Sequence, residues 1–343
     1  MESYKGHVDT DQKVQRAAII GAGALGRLLA ARLQPFCAQL LLVTRTKEQA
    51  DAISGGGGIQ LVDGTEHILA DARTAALEGP GEAVRLLQEM EPEWIVLAVK
   101  QQHINGALAE SVQRAMGVST RLLLLQNGIG HVERLLAAGI DPDRMYAAVT
   151  TEGAKAEDTR RVIHTGRGLT RIGPAVSKES GGSELHSGPL YRETVIREAQ
   201  GLIGLLSSAG FTIQWTNPIA PYVWSKLVMN ALINPLTAIL RIRNGELLES
   251  PHALDLMRRL FNEALRIAGA EGVPLSPGLW EEVLQVCVRT AANSSSMLQD
   301  VLAGRPTELD WITGALLRAA EKYGMDAPSH RAVYLLMKAI EGE

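Results

Sequence analysis

Apolar runs of four to six residues recur through the first half of the chain, separated by stretches whose apolar positions fall three and four apart. The runs are AAII (17–20), LLLVT (40–44), WIVLAV (94–99), RLLLLQ (121–126) and MYAAVT (145–150). Runs that are apolar throughout, without alternation, predict parallel strands covered on both faces, and their exchange with helical patterns predicts a doubly wound α/β domain. RVIHTGRG and LTRIG follow as shorter strand patterns; a helical YRETVIREAQGLIGLLSSAG and a strand-like FTIQW complete this domain near residue 217. Between them, KESGGSELHSG (178–188) reads as a loop inside the domain. Beyond Asn217-Pro218 only helical spacing remains, over 220–242, 251–271, 277–291, 307–323 and 328–341, which predicts an all-α second half. The expected division is an N-terminal extension (1–16), an α/β domain (17–217) and a helical domain (218–343).

The first strand runs directly into GAGALG, with Gly21, Gly23 and Gly26 in G-x-G-x-x-G spacing before a helical pattern. In that setting the first glycine permits a tight turn, the second lets backbone approach a pyrophosphate, and the third lets helix and strand pack closely. Dinucleotide binding is expected. The second strand ends in VTRTK, where an NAD enzyme would carry an acidic residue for the ribose hydroxyls. Arg45 at that end, with Lys47 nearby, suits a 2′-phosphate and so NADP(H); the plainer reading is a solvated surface arginine. Lys100 and Asn127-Gly128 stand at two further strand ends, where ligands of open parallel sheets bind, although a solvated lysine and a simple turn would look the same.

With 46% hydrophobic and 21% charged residues and a net charge of −4, the 343-residue chain has an ordinary soluble composition and enough length for two cores. No basic excess suggests nucleic acid or an anionic membrane. The opening MESYKGHVDTDQKVQR is polar and lacks the apolar centre of a signal peptide, and no run of about 18 apolar residues is evident, so a cytoplasmic protein off the membrane is expected. Cys37 and Cys287 read as reduced, packed thiols, and the scattered histidines give no ligand spacing, so no metal is expected. The Gly tetrad at 55–58 lacks the Lys-Ser/Thr of a P-loop and reads as a loop.

WSKLVMNALINPL (224–236) is the anomaly of the helical half. Lys226, Asn230 and Asn234, four apart, share one face of an otherwise apolar helix. A surface helix with a snorkelling lysine is one reading, but solvent faces usually mix Glu, Lys and Arg instead of repeating Asn. A buried stripe would need partners, and a polyoxygenated small molecule polarised by the lysine would supply them. Pro235 is expected to disrupt the helix and free nearby carbonyls. ANSSSMLQD (292–300) and RPTELDW (305–311), taken alone, read as helix caps and an acidic first turn at Thr307, Glu308 and Asp310.

Taken in order, GAGALG, the VK at 99–100, QNGIG (126–130), KLVMNALINPLTAI (226–239), NGEL (244–247), SSMLQD (295–300) and TELDWITG (307–314) resemble the motifs of the ketopantoate reductase family, over nearly the whole chain after residue 16. The resemblance implies an α/β Rossmann domain followed by an all-α domain similar to that of 6-phosphogluconate dehydrogenase. It also implies NADPH-dependent reduction of the C2 ketone of 2-dehydropantoate to (R)-pantoate, for pantothenate synthesis, with Lys226 as general acid and Glu308 orienting it. By the same resemblance Gly21, Ala22, Gly23, Ala24, Leu25, Gly26, Arg45, Lys100, Asn127, Ala154 and Glu308 would hold the cofactor. Asn127, Asn230, Asn234, Asn244 and Ser296 would bind the 2-oxo acid. Two alternatives stand beside it: reduction of another branched 2-oxo acid, and a silent NADPH-binding sensor. No nucleic-acid or membrane partner is expected, and a homodimer is the assembly envisaged.

Overall fold

The computed structural model describes residues 16–79, 81–176 and 189–342. Residues 1–15 of the expected extension (1–16) and the loop 178–188 lie outside the described residues, and Arg16 belongs to the first strand. In chain order the strands are β1 (Arg16–Ile20), β2 (Gln39–Thr44), β3 (Ile59–Asp63), β4 (Glu66–Ala70), β5 (Arg73–Ala76), β6 (Trp94–Leu97), β7 (Arg121–Leu124), β8 (Met145–Thr150), β9 (Gly153–Ala156), β10 (Arg161–Gly166), β11 (Leu169–Pro174) and β12 (Thr212–Trp215). The helices are α1 (Ala24–Leu33), α2 (Lys47–Gly55), α3 (Glu82–Met90), α4 (Gly106–Ala115), α5 (His131–Ala137), α6 (Pro189–Ser208), α7 (Ala220–Leu240), α8 (Pro251–Ala270), α9 (Leu279–Arg289), α10 (Ser296–Leu302), α11 (Leu309–Lys322) and α12 (Pro328–Glu341). They form two compact units: one takes the chain up to Val99 with His103–Gln126 and Val132–Ile219, the other takes Lys100–Gln102, Asn127–His131 and everything from Ala220.

In the first unit the large sheet has the order β12-β11-β8-β7-β6-β1-β2-β5. Neighbours from β8 to β5 pair in parallel. Their side chains alternate between two cores. Ala17 and Ile19 of β1, Leu40 and Leu42 of β2 and Val96 of β6 face the core that includes α1 and α6. Ala18, Ile20, Leu41, Val43, Ile95 and Leu97 face the core that includes α3, α4 and Leu135 of α5. Because both faces are buried, the runs carry no polar alternation. The edge departs from the parallel pattern: β11 pairs antiparallel with β8, since no crossover helix intervenes.

A second sheet, β4-β3-β10-β9, is not in the sequence expectation, although its strand β10 is the expected RVIHTGRG pattern. The Gly tetrad is what lets α2 turn into it. Gly57 and Gly58 have φ of +85° and +92°, and a Cβ on Gly58 would strike the Ala70 carbonyl, a close approach open only to glycine. Arg160 Nε donates to the Gly58 carbonyl at 2.9 Å.

In the second unit α7 is central: Leu227, Val228, Ala231, Leu232 and Leu236 join a core with residues of α8, α9, α10, α11 and α12. Pro235 sits inside this helix, which spans the stretch the spacing over 220–242 expects; the disruption expected at the proline does not break it. α7 continues to Leu240, and the buried Thr237 hydroxyl sits 2.8 Å from the Ile233 carbonyl oxygen and 2.9 Å from that of Asn234. A core helix packed on several sides can absorb one missing N–H that an isolated helix could not. By length and composition α7 is also apolar enough to cross a membrane, although Ser225, Lys226, Asn230 and Asn234 interrupt any continuous apolar run, and 61% of that window is buried inside the protein.

Candidate functional site

Gly21 follows β1 with φ +115°, and its N–H donates to the Val43 carbonyl at 2.8 Å. A Cβ here would lie 2.7 Å from the Val99 nitrogen, and one on Gly26 would strike the Gly21 carbonyl oxygen, so turn and helix close only with glycine at both. Gly23 differs. It is exposed, caps α1 without a side-chain cap bond, and has nothing within 4 Å of where a Cβ would stand. Backbone N–H groups with open space before them at a helix start fit a dinucleotide pyrophosphate. Ala22 is buried, Ala24 and Leu25 are half-buried, and Gln49 Nε2 donates to the Ala22 carbonyl at 3.1 Å, tying α2 to the glycine turn.

Arg45 is exposed directly after β2. Thr46 then caps α2, accepting from Gln49 N at 3.3 Å. Lys47, one residue on, is held by Asp51 at 2.8 Å, which leaves the position-45 guanidinium the better candidate for a phosphate. Ala154 stands on β9, in the small sheet, and β9 packs on α1.

In the helical unit Lys226 is partly exposed at its surface yet enclosed enough that burial lowers its pKa to about 8, against an opposing pull from the Glu308 carboxylate. Glu308 occupies the N-cap of α11 without capping it through its side chain; its Oε2 accepts from Asn127 Nδ2 at 3.3 Å instead. Asn230 and Asn234 lie on the Lys226 face of α7, half-buried and 8% exposed respectively. Asn244 begins the 3₁₀ turn Gly245–Leu248 that packs on α7. Its Nδ2 donates to Thr290 Oγ1 at 2.9 Å, while its buried Oδ1 has no partner among the described residues. Ser296 opens α10 as an exposed residue. The cap itself is Ser295, whose Oγ accepts from Leu298 N at 3.1 Å and shares a 2.7 Å hydrogen bond with Thr237 of α7.

The second unit therefore gathers Lys226, Asn230, Asn234 and the starts of α10 and α11 on or around one helix, with Asn127 linked through Glu308. Lys100 belongs to this unit too, its ammonium 2.7 Å from Asp300 Oδ2. The sequence reading left out Asp300, although SSMLQD contains it; it is buried and also accepts from Arg305 Nε at 3.0 Å. Also unforeseen is Gln101, fully buried beside Lys100, with its Nε2 2.6 Å from the Ile129 carbonyl oxygen. Nothing in the local pattern of residues signals it.

The ketopantoate reductase PanE/ApbA family model matches residues 17–177, and the model of the C-terminal part of the same family matches 219–341. The 2-dehydropantoate 2-reductase of Bacillus subtilis is 33% identical over 326 residues, covering 95% of this chain and 97% of its own. That of Archaeoglobus fulgidus is 30% identical over 330 residues, 96% and 99% of the two chains. Among solved structures, a PanE/ApbA family ketopantoate reductase from Ralstonia eutropha superposes with a TM-score of 0.80 at 24% identity, covering 95% of this chain and 98% of that one. D-mandelate dehydrogenase, in ternary complex with NADH and anilino(oxo)acetate, gives 0.80 at 23% identity, with the same coverages. At these identities the two structures bear on the fold alone, a Rossmann-like α/β unit followed by helices. With two family models in tandem and relatives matched almost end to end, the chain belongs to the ketopantoate reductase family, and it is an oxidoreductase of the nicotinamide-dependent kind.

Proposed function

We propose that the protein reduces the C2 ketone of 2-dehydropantoate to (R)-pantoate, feeding pantothenate synthesis in the cytoplasm, with NADPH as reductant and Lys226 as general acid. The observation that carries this is Lys226 itself: an ammonium enclosed on a core helix, its pKa lowered to about 8, facing the same way as two asparagines and opposed by Glu308. When bound, NADPH supplies the hydride. The glycine turn would cradle its pyrophosphate, Arg45 would pair with its 2′-phosphate through two hydrogen bonds, and Lys100, Asn127, Ala154 and Glu308 would border it.

The residues of the helical unit account for the rest. At neutral pH the lysine is still mostly an ammonium, yet on the order of a few hundred times more acidic than a solvated one, so it can release a proton to the oxygen on which negative charge develops. Glu308 keeps that ammonium charged until it is needed, and Asn127 steadies the carboxylate through its amide. Asn230, Asn234 and Ser296 would hold the substrate carboxylate and hydroxyl. The Asn244 Oδ1, buried without a partner among the described residues, would accept from a hydroxyl, which supports a hydroxylated oxo acid over a plain branched one.

The test follows NADPH absorbance with 2-dehydropantoate for the wild type and Lys226→Ala, with oxo acids lacking the 4-hydroxyl as competitors. A fall of about 100-fold or more in kcat for the variant is expected. Equal kcat/KM for oxo acids with and without the hydroxyl would move the substrate assignment to another branched 2-oxo acid, and no turnover with any would leave a nucleotide-binding sensor.

A further inference from the structure

In the second unit Gln101 is fully buried, and its amide is unevenly used: Nε2 donates to the Ile129 carbonyl at 2.6 Å, while Oε1 is enclosed with no hydrogen-bond partner among the described residues. Ile129 lies in the middle of Asn127-Gly128-Ile129-Gly130, a loop whose two glycines have φ of +81° and +107°. A Cβ on Gly128 would strike the Trp311 carbonyl oxygen and stand 3.0 Å from Gln101 Oε1. The loop is thus tied to Gln101 and pressed against the first turn of α11. Glu308 caps that same turn, and the loop's first residue, Asn127, donates to it at 3.3 Å.

We propose that Gln101 is a positioning residue. By holding the Ile129 carbonyl it seats the loop against α11, and that seat fixes the Asn127 amide that steadies Glu308 beside Lys226. Its bearing on catalysis rests on the roles given above to Asn127, Glu308 and Lys226; its bearing on the loop does not. A side chain that merely filled space would be replaceable by one of equal length. Gln101 is not, because the bond to Ile129 requires a donor at that spot, and neither methionine nor an ionised glutamate offers one.

The experiment compares Gln101→Met, Gln101→Glu, Asn127→Ala and the double variant Gln101→Met/Asn127→Ala. Thermal unfolding is run on each, and Gln101→Asn replaces either Gln101 variant that does not fold. With NADPH and 2-dehydropantoate, both Gln101 variants should lose about 10- to 100-fold in kcat/KM, mostly in kcat, as a displaced orienting group does. The double variant should fall within about threefold of Asn127→Ala, because both changes break one linkage. In the ligand-free protein the Asn127 side-chain amide, found in ¹⁵N spectra by its absence from Asn127→Ala, should shift or broaden in Gln101→Met. Wild-type turnover with an unmoved Asn127 amide, or losses that multiply in the double variant, would overturn the proposal. An Asn127→Ala variant with full activity, beside an amide that does move in Gln101→Met, would instead overturn the role of Asn127 in the reaction and leave the positioning intact.

Discussion

Replacing Lys226 by methionine should make the protein more stable while removing its activity. The side chain is one atom shorter and keeps its helix propensity, so the main change is loss of the charged end. In the unfolded chain this lysine titrates near 10.5; in the folded protein burial brings it to about 8, even with Glu308 pulling the other way. That displacement means the folded state holds the ammonium at a cost of about 3 kcal/mol at pH 7, where both states are protonated. Between pH 8 and 10.5 the folded lysine is neutral while the unfolded one still binds its proton, so stability rises with pH across that window. Lys226→Met carries no such term.

Urea unfolding, followed by tryptophan fluorescence, measures the difference. At pH 7 the variant's midpoint should lie about 1 M higher, in the transition of the helical unit if the two units unfold separately. By pH 10 most of that advantage should be gone. A variant no more stable than the wild type at pH 7, or an advantage that does not shrink with rising pH, would falsify the account of Lys226 as a desolvated cation. Turnover in the same variant should drop by at least about 100-fold, since methionine has no proton to give.

The same lysine sets the pH dependence of the reaction: kcat/KM for the oxo acid should be level below about pH 8 and fall tenfold per pH unit above it, a break that Lys226→Ala should lack. Arg45→Ala should raise KM for NADPH about tenfold with little effect on NADH, and equal losses with both would speak against a 2′-phosphate contact. Gly26→Ala places a Cβ on the Gly21 carbonyl and should abolish nucleotide binding in a fluorescence titration while leaving the helical unit's unfolding transition in place. Glu263, on α8, offers a stability test far from this chemistry. Burial alone would raise its pKa, but donors from His330 and Ser329 at the start of α12 outweigh that and hold it at about 2. The stability it contributes is complete above pH 4.5 and is lost as pH falls toward 2. Glu263→Gln should therefore cost about 1–3 kcal/mol at pH 7, with the gap to wild type closing in acid denaturation profiles.

The elements that could be read from the pattern are those whose burial is one-sided in sequence terms. β1, β2, β6, β7 and β8 are apolar on both faces, so their runs stand out from any helix. β3 and β4 are not: IQLVD and EHILA leave Gln60, Glu66 and His67 exposed, and five half-polar residues carry too little periodicity to separate a strand from a loop. α10 was missed for a related reason. Seven residues after a serine cap resemble a cap alone, and its helix is stabilised by packing on α7 and by the Thr237–Ser295 hydrogen bond, partners far away in sequence.

The site divides along the same line. Lys226, Asn230 and Asn234 could be picked out because each is wrong for a core helix, and their fault repeats with the helix period. Nothing local marks Gln101 or Asp300; their meaning lies in bonds to residues 28 and 200 positions away. What the pattern exposes is misfit, and misfit in a core is unfavourable free energy. That is why the stability of Lys226→Met bears on function at all. An ammonium that lowers stability by about 3 kcal/mol is already part of the way to giving up its proton, since the same desolvation that opposes its charge in the resting enzyme assists the transfer when an oxyanion forms beside it. A lysine moved to the solvent side of α7 would restore the stability and lose the acid; both changes come from one displacement of pKa.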